Sequence, residues 1–250
     1  MGNMLLIDGD VVLYQHSTAV EQEYDWGDDV WTLHSDVREA KGLMDNWLAE
    51  LKEKLNGTSM VLALSDNNNF RKGILPTYKL HRKKHRKPIA YQPLKKYMES
   101  EYKTYALPTL EGDDCLGILG TQSYPGDRII ITIDKDLRTI PGYHYNPQKP
   151  EKGVEEVTLK EANYNHLYQT LTGDSVDGYK GCPGVGPVTA KRILKDPTWG
   201  AVVSAFEGAG LNEKYALIQA QVARILRWGE YNMTTKEALL WKPEEVTANG

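Results

Sequence analysis

The side chains in this sequence best suited to chemistry are its carboxylates, which fall in four clusters: Asp8 with Asp10, Glu111 with Asp113 and Asp114, Asp134 with Asp136, and Asp174 with Asp177. Asp66 adds a single acid just past an apolar run. So many carboxylates drawn to one place repel one another unless hard cations sit among them, and Mg2+ or Mn2+ takes such all-oxygen ligands. Between Asp66 and Glu111 the charge reverses: residues 67–98 hold ten Lys/Arg and no Asp or Glu. A basic stretch beside a cation-gathering set of acids suits a polyanionic substrate. The chemistry within reach is phosphodiester hydrolysis. Two hard cations about 4 Å apart can acidify an attacking water, take up charge on the non-bridging oxygens and support a departing 3′-oxygen.

Spacing says how the acids could converge. Asp134 and Asp136 share a side if a strand continues through them. Asp174 and Asp177, like Glu111 and Asp114, are three apart and share a face on a helix. Any one pair is more often a turn or a cap; the weight lies in all of them falling where one crevice would gather them. The elements that must do this are apolar runs read as buried strands at Met4–Ile7, Met60–Leu64 and Ile129–Ile133, each followed by an acid. Tyr102–Leu107 reads as a further, alternating strand, and Pro141–Gly153 as a polar surface connection. Helical spacing covers 36–55, with Val37, Leu43, Trp47, Leu48 and Leu51 near one face, and 110–119. Strands handing carboxylates to the loops after them describe an open α/β sheet, whose ligand crevice lies beyond the strand C-termini.

Thr158 and Glu161 have capping-box spacing before a helix to about Leu171. Glycines then crowd 173–186, and helical spacing returns over 188–194 and 212–228. The organisation expected is an α/β catalytic domain over 1–158 with the basic segment 67–98 inside it, a helical module over 159–229, and a tail over 230–250. The tail should pack back through Leu239, Leu240 and Trp241, and Trp47 and Trp228 should be core.

The formal charge of −4 argues against a nucleic-acid binder until its distribution is counted: segment 67–98 carries +10 and the rest −14. Cys115 and Cys182 are too few and too far apart for a zinc framework, and suit a reducing interior. The start MGNMLLIDGD reads as no signal peptide, nothing reaches transmembrane length, and Leu6 stands where myristoylation wants Ser or Thr.

Five ordered stretches carry a family resemblance: LLIDGDVVLYQ, VLALSDNNNFRKGILPTYKLHRK, PTLEGDDCLGIL, ITIDKDLRTIPG and GDSVDGYKGCPGVGPVTAKRIL. The chain resembles the 5′-nucleases, the group of flap endonucleases and the 5′–3′ exonuclease domain of bacterial DNA polymerase I. Within it the chain is most similar to the 5′–3′ exonucleases of T7-like phages, through QAQVARILRWGEYNMTTKEALLWKP especially. The resemblance implies a central, mostly parallel sheet flanked by helices, a helix-hairpin-helix module and two Mg2+ or Mn2+. The first metal would lean on Asp8, Asp66, Glu111 and Asp113. The second would lean on Asp114, Asp134, Asp136 and Asp174, with Asp177 through water. Asp10 has no such counterpart and reads as a solvated loop acid. Catalysis would rest on Asp8, Asp134 and Asp136, with Lys79 and Arg82 meeting the scissile phosphate.

Arg71, Lys83, Lys84, Arg86 and Lys87 would follow the DNA backbone, and either Tyr78 or Tyr91 would stack on an unpaired base. Only Lys83 to Pro93 separates the phosphate grip from the next helix, which implies a short or open arch. His81 and His85 sit in too basic a neighbourhood for a metal and read as phosphate contacts or surface. Gly184, Gly186, Thr189 and Lys191 would grip duplex DNA, around a K+ held by hairpin carbonyls. Val188 stands where the family has a lysine.

The substrates implied are duplex 5′ ends, nicks, gaps, flaps and RNA–DNA hybrids. The setting is a monomer off the membrane, in the cytoplasm of a phage-infected bacterium, during replication and recombination. Two rivals remain. Asp8-Gly-Asp10 after a strand resembles the nucleophile loop of haloacid-dehalogenase-like phosphatases, which leaves the glycine hairpin and the basic segment unexplained. A non-catalytic DNA-binding protein of the same fold would be marked by lost metal ligands, and all nine acids are present.

Overall fold

The computed structural model describes residues 2–80 and 86–243. A six-stranded sheet is built from β1 (Asn3–Asp8), β4 (Gly57–Ala63), β5 (Thr104–Tyr105), β6 (Arg128–Ile131), β7 (Gly142–Tyr145) and β8 (Val154–Val157), in the order β5-β4-β1-β6-β7-β8. All neighbours are parallel except β7 and β8. Its apolar strands alternate between two cores. Leu5, Ile7, Leu62, Ile129 and Ile131 face α1 (Gly9–Ala19), α2 (Val37–Lys54) and α4 (Tyr91–Glu101). Leu6, Val61, Ala63 and Ile130 face α5 (Gly112–Thr121) together with Ile225, Leu226 and Tyr231. The near-continuous apolar runs follow from burial on both faces.

A third core joins α6 (Leu159–Thr172), α7 (Pro187–Ile193), α8 (Trp199–Gly208) and α9 (Glu213–Ala223) around Phe206 and Leu171. The Thr158–Glu161 capping box opens α6, with the Glu161 N–H donating to Thr158 Oγ1 at 3.2 Å and the Thr158 N–H to Glu161 Oε2 at 2.8 Å. A short helix, α3 (Arg71–Ile74), starts the basic segment. No helix among the described residues is long and apolar enough to cross a membrane.

Several expectations are corrected. The stretch 141–153 contains β7, a strand of the main sheet rather than plain surface connection. Only Thr104–Tyr105 of the expected 102–107 strand pairs. Leu43 and Trp228 are exposed, as are Leu239 and Leu240. The tail forms a small ribbon of β9 (Tyr231–Asn232) and β10 (Glu237–Ala238), and Trp241 packs edge-on against His166 and Trp199 at 5.0 and 5.2 Å. A hairpin of β2 (Glu21–Asp25) and β3 (Trp31–Ser35) stands outside the cores with Trp26 and Trp31 exposed; nothing in the sequence reading anticipated it.

Candidate active site

Strands β1, β4 and β6 end side by side, with Asp8 opposite Ala63 and Ile7 opposite Ile131, so the segments that follow them share one crevice. Asp8 ends β1 and caps α1: its Oδ1 accepts the Val11 N–H at 3.1 Å and its Oδ2 the Thr132 hydroxyl at 3.1 Å. Asp10, in the first turn of α1, accepts the Ser65 N–H at 2.9 Å and ties that helix to the end of β4. It lines the cavity and is therefore not the solvated loop acid expected.

Past β6, Asp134 caps a 3₁₀ turn over Lys135–Thr139 and accepts the Asp136 N–H at 2.8 Å. The strand ends before this pair, so turn geometry and not the pleat brings both acids to the cavity. Gln169 Nε2 on α6 donates to Asp136 at 2.8 Å. Asp174 and Asp177 lie in the loop after α6 rather than on one helical face. There Asp174 Oδ1 accepts the N–H groups of Val176 and Asp177 at 2.6 and 3.0 Å, and the main chain of Asp174 bridges to Tyr179. Glu111 and Asp113 come from the N-terminus of α5.

The cavity, about 380 Å3, is lined by Asp8, Asp10, Glu111, Asp113, Asp134, Asp136, Asp174 and Asp177. Burial, and then the charges of Asp10 and Asp134, push the Asp8 carboxyl up to about 7. Burial followed by Asp134, Asp174 and Asp177 raises Asp136 to about 6. Asp113 is driven well above its ordinary range by burial and then by Asp8, Asp134 and Glu111. At Glu111 burial is outweighed by the nearby Lys79 and Arg71, which hold it down to about 2.

Lys79 sits in left-handed backbone, φ 51°, with its N–H donating to the Asp177 carbonyl at 2.8 Å. Its Nζ lies 2.5 Å from Glu111 Oε1 and 3.4 Å from Asp177 Oδ2. Burial works against that ammonium, yet Glu111, Asp177 and Asp113 hold its pKa above the usual lysine range. Even so, Lys79, Lys135 and Arg71 leave the lining acids in excess. Carboxylate oxygens, with no His or Cys among the described lining residues, and carboxyls forced toward protonation by one another fit Mg2+ or Mn2+. Among the described residues no three acids already close on one point as a finished coordination shell.

Asp114 and Arg71 take other roles than those expected. Asp114 is fully buried and does not line the cavity; both its oxygens accept from the Arg71 guanidinium at 2.7 Å, and they also accept the N–H groups of Leu226 and Glu111. Arg71 is buried too, donating to the carbonyls of Val222 and Arg224, so it is not placed to follow a DNA backbone across the surface. Asp66 does not line the central cavity but an adjoining groove that shares Lys79 and Glu111 with it, and its Oδ2 accepts the Thr109 N–H.

Tyr78 is buried, with its hydroxyl 2.8 Å from Glu111 and 3.1 Å from Asp177, and Tyr91 is buried beside Asp10, so neither is placed to stack on a base. Arg86 pairs with Glu21 at 2.7 Å, and the Lys87 ammonium sits 4.0 Å from the Tyr91 ring centre. His81, Arg82, Lys83, Lys84 and His85 lie outside the described residues. Gly184 has the left-handed φ of 76° that a glycine hairpin implies, but Gly186 is extended at φ −91° and needs no glycine. Thr189 and Lys191 sit on α7, with Lys191 exposed. Thr132, Gln169 and the carboxylate-holding role of Tyr78 escaped the sequence reading. A lone Thr interrupting the isoleucine run 129–133 is the only signal that marks Thr132.

The family model described as 5′-3′ exonuclease, N-terminal resolvase-like domain, matches residues 3–163. The exodeoxyribonuclease of Enterobacteria phage T3 is 30% identical, over 96% of this chain and 93% of its own. The exonuclease of Escherichia phage T7 is 31% identical over the same shares. The bacteriophage T5 flap endonuclease, in a complex with DNA and metal ions, superposes with a TM-score of 0.67 over 88% of both chains, at 11% identity a likeness of fold. With two phage exonucleases matched along nearly its whole length and the family model laid over six of its eight cavity acids, this chain belongs to the 5′–3′ exonuclease family and is a metal-dependent nuclease.

Proposed function

We propose that the cavity hydrolyses DNA phosphodiesters from a 5′ end, at duplex ends, nicks, gaps and flaps, releasing 5′-phosphorylated products. The observation that carries this reading is the excess of carboxylates lining one cavity at the C-terminal edge of the sheet with the Lys79 ammonium set among them. Asp8, Glu111, Asp113, Asp134, Asp136, Asp174 and Asp177 are the residues that would hold two Mg2+ or Mn2+. Bound there, such ions supply an acidified water and positive charge for the non-bridging oxygens. Lys79 adds a compact positive charge at the phosphate, worth most when charge builds on it. Tyr78 and Gln169 keep Glu111, Asp177 and Asp136 aimed inward. A phosphatase reading with Asp8 as nucleophile is disfavoured, since both its oxygens accept hydrogen bonds, from the Val11 N–H and the Thr132 hydroxyl.

RNA–DNA hybrids are proposed as further substrates, a monomer as the working state, and the Gly184 hairpin as a duplex grip around K+. The phage origin of the similar exonucleases supports work in the cytoplasm of an infected bacterium. The test is a duplex labelled at the 5′ end and, separately, at the 3′ end, incubated with Mg2+, Mn2+ or chelator. Loss of the 5′ label as short products, only with metal, is expected; metal-independent cutting or degradation from the 3′ end would overturn the reading.

A further inference from the structure

The active-site cavity does not end at its acids. It opens, across Lys135, Asp136, Gln169, Asp174 and Tyr179, into a groove of about 220 Å3. That groove passes, across Arg138 and Asn165, into another of about 320 Å3 that reaches Lys160 and Pro197. The three form one trough along α6, which at 1.5 Å per residue extends about 18 Å from Thr172 back to Lys160.

Its chemistry changes along that length. The carboxylates Asp136 and Asp174 stand with Lys135 at the active-site end, while beyond them come the cations Arg138 and Lys160. Two further acids flank the outer part, and each is engaged: Glu161 in the capping box with Thr158, and Glu155 with Arg138 at 3.4 Å. That second pair is solvent-exposed on both sides, the kind that is readily exchanged for a better anion. Asn165 Nδ2 donates to the Arg138 carbonyl at 2.9 Å and fixes the main chain from which the guanidinium extends. Tyr164 and Tyr168, one helical turn apart with their rings near-parallel at 6.4 Å and 19°, line successive parts of the trough. Cations spaced along a groove with aromatic rings between them suit a nucleic-acid backbone better than a compact ligand.

We propose that this trough is a strand track: it holds the backbone of one nucleic-acid strand leading away from the scissile phosphate. Arg138 and Lys160 take phosphates there, and Tyr164 and Tyr168 lie against sugars or bases. The track rests on the reading of the cavity as a DNA nuclease and adds residues the acids do not supply. None of the four belongs to the catalytic set, so binding and chemistry can be separated.

The test compares the full chain with Arg138→Gln/Lys160→Gln and with a control, Lys52→Gln/Lys103→Gln, that removes the same charge from exposed sites elsewhere. Binding of a nicked duplex is measured across a salt series without divalent ions. Two lost phosphate contacts should flatten the slope of log K against log salt by about 1.4–1.8 and weaken binding about tenfold or more at moderate salt. The control should leave the slope alone. Single-turnover cleavage at saturating DNA should stay within about twofold of the unaltered chain, while KM rises. Glu155→Gln, which releases Arg138 from its competitor, should tighten binding. An unchanged slope in the trough variant, or an equal loss in the control, overturns the track while leaving the nuclease reading intact. Failure of the unaltered chain to cut DNA would strike the nuclease reading instead, and the binding slopes would still decide the track.

Discussion

Arg71 commits its guanidinium to the seam between the sheet and the end of α9, where it meets Asp114, Glu111 and two main-chain carbonyls. Removing one member of such a buried pair leaves an uncompensated charge and costs about 3–5 kcal/mol. Arg71→Met should therefore lower the urea midpoint sharply and cut kcat through a displaced Glu111. The salt slope of DNA binding should not change in the folded fraction, because no phosphate contact is lost. Replacing both partners with apolar residues should recover part of the stability. Lys79→Ala carries the opposite signature: a single-turnover rate lower by about 10²–10³, with binding little changed. If binding fell while the chemical step survived, Lys79 would be a backbone contact only. Of the cavity acids, Asp8, Asp134 and Asp136 were legible because strand ends mark their place, while Asp10 was read as a solvated loop acid because its tie to the Ser65 main chain crosses 55 residues. The Arg71–Asp114 pair was not legible, because its partners stand 43 residues apart and Arg71 sits in a segment that reads as uniformly basic surface.

At the scale of elements, the loop from Gly173 to Gly181 holds its two acids by close backbone packing. A Cβ on Gly178, at φ 81°, would lie 2.9 Å from the Thr77 carbonyl, beside the main chain that positions Lys79. Gly178→Ala should thus slow cleavage and lower stability together. Gly184, at φ 76° with open space around it, should behave differently: Gly184→Val strains only the local backbone, by about 1–2 kcal/mol, and should weaken duplex binding with little loss of cleavage at saturating DNA. Gly186→Ala should be neutral in both, since its backbone is extended. Melting curves and a binding isotherm for the three variants check this ranking. The strands β1, β4 and β6 could be read from sequence because burial on both faces writes an apolar run. The hairpin β2–β3 could not, since its side chains are largely exposed and no alternation distinguishes its faces.

Across the whole molecule, the buried histidines and the cavity carboxyls respond to acid in opposite directions: the neutral rings lose stability as pH falls, while the raised carboxyls of Asp8, Asp113 and Asp136 gain it. Burial, with Arg224 and Arg227 nearby, lowers His166 from its usual 6.5 to about 3, and burial also lowers His16 and His144. The unfolded chain takes up a proton at His166 below pH 6.5 that the folded chain refuses until about pH 3. Stability contributed by the neutral ring is therefore full above that window and is lost as pH falls through it, by at most about 1.4 kcal/mol per pH unit. The His166 share is read by comparing variants: between pH 7 and pH 5 the urea midpoint of His166→Gln should shift toward lower stability less than that of the unaltered chain, and equal shifts would remove His166 from the account. The wall of the active cavity includes Val222, Ala223 and Ile225, and Arg71 is fastened to that same stretch of chain. Domains form in order as a chain leaves the ribosome, at about 5–20 residues per second. The segment carrying Asp8 through Asp136 can pair its strands early, yet its cutting site lacks a wall until residues 222–226 have emerged and docked. A chain ending before residue 222 should therefore not cut, because it lacks both that wall and the Ile225, Leu226 and Tyr231 packing on one face of the sheet; a truncation series on a 5′-labelled duplex checks this.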